Sequence, residues 1–313
     1  MADGVRRVFE NADISVERGC NYCHENTNDW GGFANMISDG IAAASEADIT
    51  VLALGLDCSI EGEDTGFDND YTACGDKRSL YLPATQQKLA EAVCDVCDNV
   101  IVVLMCGSSI DLGEKVRKHA KAIIHAWYPG ALGGLAVANI LAGKANPCGK
   151  LPVTIYDGEH NLPDFKDYSM VGKTYRYIDG DALYPFGYGL SYTSYAYSDA
   201  KASENDDAIT VSVDVQNTGR IDGKEIVQVY ASFTDSRTYT PHYQLCGVKS
   251  VNLTAGEKAT VELTVDKYWL KAVDENGERI TPDGKITLYI GGHQPDNVSN
   301  DLMGYTCETI ELQ

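Results

Sequence analysis

Two glutamates, Glu61 and Glu63, stand just beyond an apolar run, Ile49 to Leu54, that reads as a buried strand. Open α/β sheets take their ligands outside the carboxyl ends of the strands. Carboxylates at this place are therefore candidates for ligand binding and for proton transfer. The stretch that carries them is long, Gly55 to Pro83: Gly-Leu-Asp-Cys-Ser-Ile-Glu-Gly-Glu-Asp, an acidic and aromatic excursion, then Gly-Asp-Lys-Arg-Ser-Leu-Tyr-Leu-Pro. Loops of this length in compact domains are uncommon and are mostly functional or disordered. By residue type alone, such a charge run is ordinarily a solvated face.

Other residues with chemical potential have weaker settings. Cys20 with Cys23 and Cys94 with Cys97 form two Cys-x-x-Cys pairs, but about 70 residues separate the pairs, whereas a structural zinc site wants four ligands at tight spacing. No metal is expected. Gly107-Ser108-Ser109 follows an apolar strand but lacks the Gly-x-Ser-x-Gly frame of a nucleophile turn, and reads as an ordinary strand-to-helix turn. Gly130 to Gly134 leads into a helix without the lysine of a phosphate loop, so close packing explains its glycines. His119 and His125 stand alone and read as packed or surface groups. The sequons at Asn252 and Asn297 carry no weight without secretion. No cofactor is expected.

The elements that must position the glutamates follow from periodicity. Val5 to Glu10 reads as a short helix, and Ile14 and Val16 suggest a short strand after it. Phe33 to Ala47 and Thr85 to Cys97 have helical spacing of apolar residues. Val100 to Met105 is an unbroken β-branched run, the pattern of a strand buried on both faces. Ile110 to His119 reads as a helix, Ala122 to Trp127 as another buried strand, and Leu135 to Leu141 as a helix ending at Gly143. This alternation implies an α/β fold with a mostly parallel sheet sandwiched by helices. From Ala208 the period is two: Ile209, Val211, Val213 and Val215 alternate with polar residues. Asn217-Thr-Gly-Arg is a turn, and Gly247 to Leu253 with Ala259 to Val265 reads as a hairpin. The end of the chain is thus an all-β sandwich of immunoglobulin or fibronectin III type. The expected organisation is an α/β domain over 1–156, an extended, aromatic-rich connector over 157–197 and the sandwich over 198–313.

Bulk properties restrict the function. The 313 residues carry 25 Lys+Arg against 46 Asp+Glu, a formal charge of -21. So acidic a chain is repelled by phosphate backbones and anionic membranes, which argues against nucleic-acid and membrane partners and in favour of neutral or cationic small molecules. No apolar run approaches the roughly 20 residues of a membrane-spanning helix. No leader is evident, and ten Cys without one fit a reducing compartment, so a cytoplasmic location is the expectation.

Three stretches resemble glycoside hydrolase family 3: the Gly55–Pro83 loop with Gln86; Ala126-Trp-Tyr-Pro-Gly-Ala-Leu-Gly-Gly through Asn146-Pro-Cys-Gly-Lys-Leu-Pro-Val-Thr; and Asp167-Tyr-Ser-Met through Thr174-Tyr-Arg-Tyr to Leu183-Tyr-Pro-Phe-Gly-Tyr-Gly-Leu-Ser-Tyr. Leu245-Cys-Gly-Val-Lys and Tyr289-Ile-Gly-Gly-His-Gln resemble the fibronectin type III-like module that ends many members. The resemblance implies a retaining β-glycosidase acting on β-linked glucosides, xylosides or oligosaccharides. Such enzymes use two carboxyl groups, a nucleophile and an acid/base. It assigns the acid/base to Glu63, with Glu61 as the alternate, and sugar contacts to Asp76 and Lys77. In the commoner pattern an Asp-Arg pair follows the glutamate almost at once; here Asp76-Lys77-Arg78 stands in its place after a longer excursion. The nucleophile belongs to a (β/α)8 barrel, which the resemblance makes a partner domain or subunit. The first strand of the α/β domain is also expected to be missing, so the chain is expected to be incomplete as an enzyme by itself. The competing expectation is a non-catalytic module that binds sugar or docks a subunit.

Overall fold

The structure is a computed structural model, which describes all residues except 24–35, 59, 63–70, 74, 159–161, 165 and 313. Glu63 lies outside the described residues. The chain divides into two compact units: Met1–Ala145 with Tyr156–His160, and Asn146–Ile155 with Asn161–Gln313.

The first unit opens with α1 (Ala2–Val8) and α2 (Met36–Glu46), followed by β1 (Thr50–Gly55). The short strand expected at Ile14 and Val16 does not form; the segment is irregular and Val16 is half exposed. Two alternating apolar residues with no sheet partner among the described residues do not hold a strand. A two-stranded ribbon, β2 (Thr72–Ala73) and β3 (Asp76–Lys77), precedes α3 (Ala84–Cys94). Then come β4 (Val100–Met105), α4 (Gly113–His119), β5 (Ala122–His125) and α5 (Gly133–Leu141). The sheet is parallel in the order β1-β4-β5. Its central strand carries the β-branched run, with Val100, Val102 and Val103 fully buried. β1, at one side of this order, buries Leu52 and Leu54 while Ala53 is exposed, so it is covered on one face rather than the two that its apolar run suggests. Leu89, Ala90 and Val93 of α3 and Val116 of α4 complete the core. Cys94 and Cys97 are buried in it and Cys20 and Cys23 pack against it, where cysteine serves as a small hydrophobe.

In the second unit a short helix, α6 (Thr174–Tyr177), precedes a sandwich of two antiparallel sheets. One holds β6 (Tyr195–Glu204), β7 (Ala208–Asn217) and β10 (Lys258–Asp266), in the order β10-β7-β6. The other holds β8 (Gly223–Thr234), β9 (Gln244–Leu253), β13 (Lys285–Gly291) and β14 (Glu308–Leu312), in the order β14-β13-β8-β9. A small pair, β11 (Ala272–Val273) with β12 (Arg279–Ile280), and a helix, α7 (Asn297–Met303), decorate it. The period of two is realised as read: Ile209, Val211, Val213 and Val215 are fully buried in the core between the sheets. The hairpin expected between residues 247–253 and 259–265 is instead an arch. β9 pairs with β8 and β10 with β7, so the turn at 254–257 crosses from one sheet to the other. Both strands need an inner face, and Val261, Leu263 and Val265 take theirs in the same core as Cys246 and Leu253.

The segment before the sandwich is bolted to it from within the same unit. Lys150 donates to Gly189 O (2.9 Å) and lies 3.7 Å from the buried Glu225 carboxylate, which also accepts from Tyr197 (2.9 Å). Gln228 donates to Gly187 O (3.0 Å) and Gly292 O (2.9 Å) and accepts from Tyr230 (2.6 Å). Gly187 has φ +80°, and a Cβ there would stand 2.3 Å from the Tyr230 hydroxyl, so only glycine fits.

Candidate active site

The site grows from the carboxyl ends of β1, β4 and β5. β1 ends at Gly55, which has φ +144°; a Cβ there would stand 1.9 Å from Met105 O, so the position admits no side chain. The buried amide of Gln86 fixes this strand end: its Oε1 accepts from Gly55 N (2.8 Å), and its Nε2 donates to Gly55 O (2.7 Å) and Tyr22 O (2.9 Å). The chain then turns back, with Ile60 N and Glu61 N both donating to Asp57 O (2.9 and 2.8 Å). Gly62 N donates to Gly75 O at 3.2 Å, closing a neck through which the chain leaves and returns. On the return, β3 leads to Tyr81, which forms a parallel bridge with Asp111. Asp111 is itself almost fully buried, held by Arg117 and accepting from Gly113 N and Gly158 N (both 2.8 Å).

Glu61 lies across the ends of the two neighbouring strands. Its carboxylate accepts from Gly107 N at 3.1 Å and from the hydroxyls of Ser108 and Tyr128. Burial pushes its pKa up, but the hydrogen bonds from Ser108, Tyr128 and Gly107 and the positive charge of Lys77 outweigh it, and the carboxyl is held below its ordinary value. The carboxylate in turn makes the Tyr128 hydroxyl harder to ionise, adding to the effect of desolvation. Lys77 donates to Ser109 O, and burial lowers its pKa against the opposing pull of Cys106 and Glu61. Behind them His125 lies with Nε2 3.3 Å from Cys106 O, stacked on Trp127 with ring centroids 4.0 Å apart. Trp127 has φ +54°, a conformation rare for a bulky residue and one that concentrates at functional sites. Burial pushes the Cys106 thiol up to about 11 and lowers the pKa of His125, so neither is poised as a nucleophile or a cation.

The family model for the glycosyl hydrolase family 3 C-terminal domain matches residues 1–192, and that for a fibronectin type III-like domain matches residues 225–294. The chain belongs to glycosyl hydrolase family 3. A xylan 1,4-beta-xylosidase from Xylanibacter ruminicola is 39% identical over 240 residues, covering 76% of this chain and 28% of that protein. A thermostable beta-glucosidase B from Acetivibrio thermocellus is 37% identical over 254 residues, covering 74% of this chain and 31% of that protein. Among solved structures, a family 3 beta-glucosidase from Bifidobacterium adolescentis superposes with a TM-score of 0.80 at 25% identity, covering 99% of this chain and 45% of that one. A beta-glucosidase from Streptomyces venezuelae in complex with D-glucose gives 0.74 at 29% identity, covering 90% and 36%. The chain spans about a third of the length of the curated relatives it matches.

Within this family 3 domain the structure brings Glu61 and Lys77 to one place and leaves Asp76 exposed on β3. Sequence reasoning missed the partners of Glu61. Ser108 falls in a turn without a nucleophile frame, and nothing in its neighbours announces a carboxylate more than forty residues earlier in the chain. Tyr128 had a signal, since it sits inside the Ala126-Trp-Tyr-Pro-Gly stretch that carries the family resemblance. His119 is packed as read, with Nε2 2.7 Å from Cys97 O.

Proposed function

We propose that this chain is the C-terminal part of a retaining β-glycosidase of β-glucosidase or β-xylosidase type, in which Glu63 is the general acid/base and a (β/α)8 barrel, as a domain or subunit, supplies the nucleophile. The observation that carries this reading is the state of Glu61. An acid that must protonate a leaving oxygen near neutral pH needs a raised pKa. Glu61 is engaged by three donors and lowered, which suits a fixed anchor and not a proton donor. The remaining glutamate of the pair, Glu63, falls in the sequence between Gly62 and Gly75, whose backbone bond stands at the edge of the sheet where α/β folds place their ligands. In this reading Glu63 gives its proton to the glycosidic oxygen as the bond breaks. It then takes a proton from the water that releases the sugar from the nucleophile. Glu61 positions the loop. Asp76, being exposed, is free to accept from a sugar hydroxyl, while Lys77 acts through its charge on Glu61.

The test uses the chain together with its barrel. Glu63→Gln is expected to reduce hydrolysis of a β-linked disaccharide by about 10²–10⁴-fold and to remove the alkaline limb of the pH profile, while sparing kcat/KM for a dinitrophenyl glycoside, whose leaving group needs no proton, and lowering its kcat, because the water that releases the sugar loses its base. Glu61→Gln is expected to lower both activities together and to leave the shape of the profile intact. The opposite pattern in the two variants would reassign the acid to Glu61.

A further inference from the structure

Gln86 closes the loop motif in the sequence but has no part in the proton transfers above. Its place becomes clear from the backbone of β1. Thr50 N donates to Asn99 O (3.0 Å) and Leu56 N to Met105 O (2.9 Å), both on the β4 side. Successive residues of a strand turn their backbone groups to opposite sides, so Gly55 turns its N–H and C=O to the outer edge of β1. No strand pairs with that edge among the described residues. Gly55 is buried, and buried backbone groups need partners. It also has no side chain and sits at φ +144°, where only glycine moves freely. Both of its groups are met by Gln86, 3% exposed in the first turn of α3, which stands where a neighbouring strand would.

The choice of residue type follows from the partners. Gly55 N only donates, and Gly55 O and Tyr22 O only accept. One side-chain tip that answers all three needs an acceptor and two N–H donors, which is a primary amide. Thr85 beside it donates to Asn21 O (3.1 Å), so the start of α3 holds the backbone at residues 21–22 as well as the end of β1.

We propose that Gln86 is a positioning residue for the reaction: it sets the direction in which the loop leaves β1, and so the place of Glu61 and of the glutamate that follows. This rests on the reading that the loop carries the acid/base. Only Leu56 to Ile60 separate Gly55 from Glu61, and Asp57 O accepts from both Ile60 N and Glu61 N (2.9 and 2.8 Å). A rotation at Gly55 is therefore carried to Glu61 with little slack. Glu61 meets Gly107 N and the hydroxyls of Ser108 and Tyr128 only if it arrives at their side of the sheet. Misplacing a reacting group by about 1 Å can lower a rate by about 10²-fold.

Gln86→Met fills nearly the same space and pairs with neither group of Gly55. In the intact chain, carboxyl-carbon NMR titration is expected to show the lowered Glu61 pKa moving back up towards the ordinary carboxylate value. With the barrel present, kcat on a β-linked disaccharide is expected to fall by about 10²-fold with KM little changed. Gln86→Glu gives a reversible version, and it keeps the test open if Gln86→Met does not fold. Its carboxylate accepts from Gly55 N but sets lone pairs against Gly55 O and Tyr22 O; once protonated it accepts and donates together, as the amide does. Its kcat relative to the parent is expected to rise as pH falls through the titration of the new carboxyl. A merely structural Gln86 would lower the thermal midpoint and leave kcat and the Glu61 pKa of the folded protein where they are. That result, or a Gln86→Glu activity whose ratio to the parent does not change with pH, overturns the proposal. Absence of hydrolysis by the parent with its barrel would count instead against the glycosidase reading, and the Glu61 titration, which needs no turnover, still decides the role of Gln86.

Discussion

Glu61 in the α/β unit and Glu225 in the sandwich unit are built from the same parts and end in opposite states. Each has a tyrosine hydroxyl, Tyr128 or Tyr197, donating to it. Each feels a half-buried or buried lysine, Lys77 or Lys150. The Glu61 carboxyl is lowered and the Glu225 carboxyl is raised. Desolvation is the largest influence on both, and both have donors set against it, Glu225 those of Tyr197, the Ile226 N–H and Lys150, so the depth of burial decides which way the balance falls. Glu61 is only partly buried and collects two hydroxyls and a backbone N–H. Glu225 is 3% exposed, and its lysine, itself lowered by burial, stands 3.7 Å away. Proximity to a lysine is therefore a poor guide to the charge state of a glutamate. The first arrangement favours the charged form of a carboxylate fixed across the strand ends, and the second is a buried polar pair that ties the Asn146–Ile155 segment to the sandwich.

The largest expected effect tests the buried member. Glu225→Ala leaves the Lys150 ammonium in the interior with its charge partner removed, and a loss of about 3–5 kcal/mol is expected in urea unfolding of the sandwich unit. The double variant Lys150→Met/Glu225→Leu is expected to recover most of it. A loss below about 1 kcal/mol for the single variant would mean that the pair is effectively solvated and the contrast false.

The pH dependence of stability separates the two glutamates by sign. The folded-state pKa of Glu61 is lowered, so its contribution is present above the unfolded value of about 4.3 and is lost as pH falls through the folded value. The folded-state pKa of Glu225 is raised, so the folded state holds that proton more firmly, and stability is lost as pH rises from about 4.3 through the folded value. Glu61→Gln is thus expected to flatten the acid limb of the stability profile, and Glu225→Gln to remove a decline on the other side of it. Chemical unfolding between pH 3 and 7 reads both; the same direction of change in the two variants would collapse the comparison.

The smallest effects come from trimming the donors of Glu61. Tyr128→Phe and Ser108→Ala are each expected to raise the Glu61 pKa towards the ordinary carboxylate value and to cost about 0.5–1.5 kcal/mol at most, less to the extent that water replaces the lost donor. Carboxyl-carbon NMR titration measures the shift. An unchanged pKa in both variants would assign the lowering to the Lys77 charge.

What the sequence revealed and what it withheld divide along the same line. Strictly local patterns were legible: the β-branched run at Val100, the alternation from Ile209 to Val215, and the turn at Asn217, whose buried side chain accepts from the Thr193 hydroxyl (2.5 Å) and Gly219 N (3.1 Å) and donates to Ile221 O (2.8 Å) and Leu253 O (3.1 Å). The arch between β9 and β10 was not, because a short turn between two alternating strands has the same local signature whether the strands pair or face each other across a core. The convergence on Glu61 was equally hidden, since Gly107, Ser108 and Tyr128 meet it only after the parallel sheet sets three strand ends side by side. The motif that includes Lys150 was visible, but the purpose of its lysine appears only with Glu225, which carries no motif of its own.

The backbone bond between Gly62 and Gly75 has an evolutionary consequence. Once a loop is pinched shut at its base, the entropy of closing it grows only with the logarithm of its length, by roughly 0.6 kcal/mol for each doubling. Insertions and deletions between these two glycines then leave the strand ends and the Glu61 anchorage untouched. Descendants of one ancestral scaffold are free to trade short loops for long ones there without redesigning the sheet that carries them.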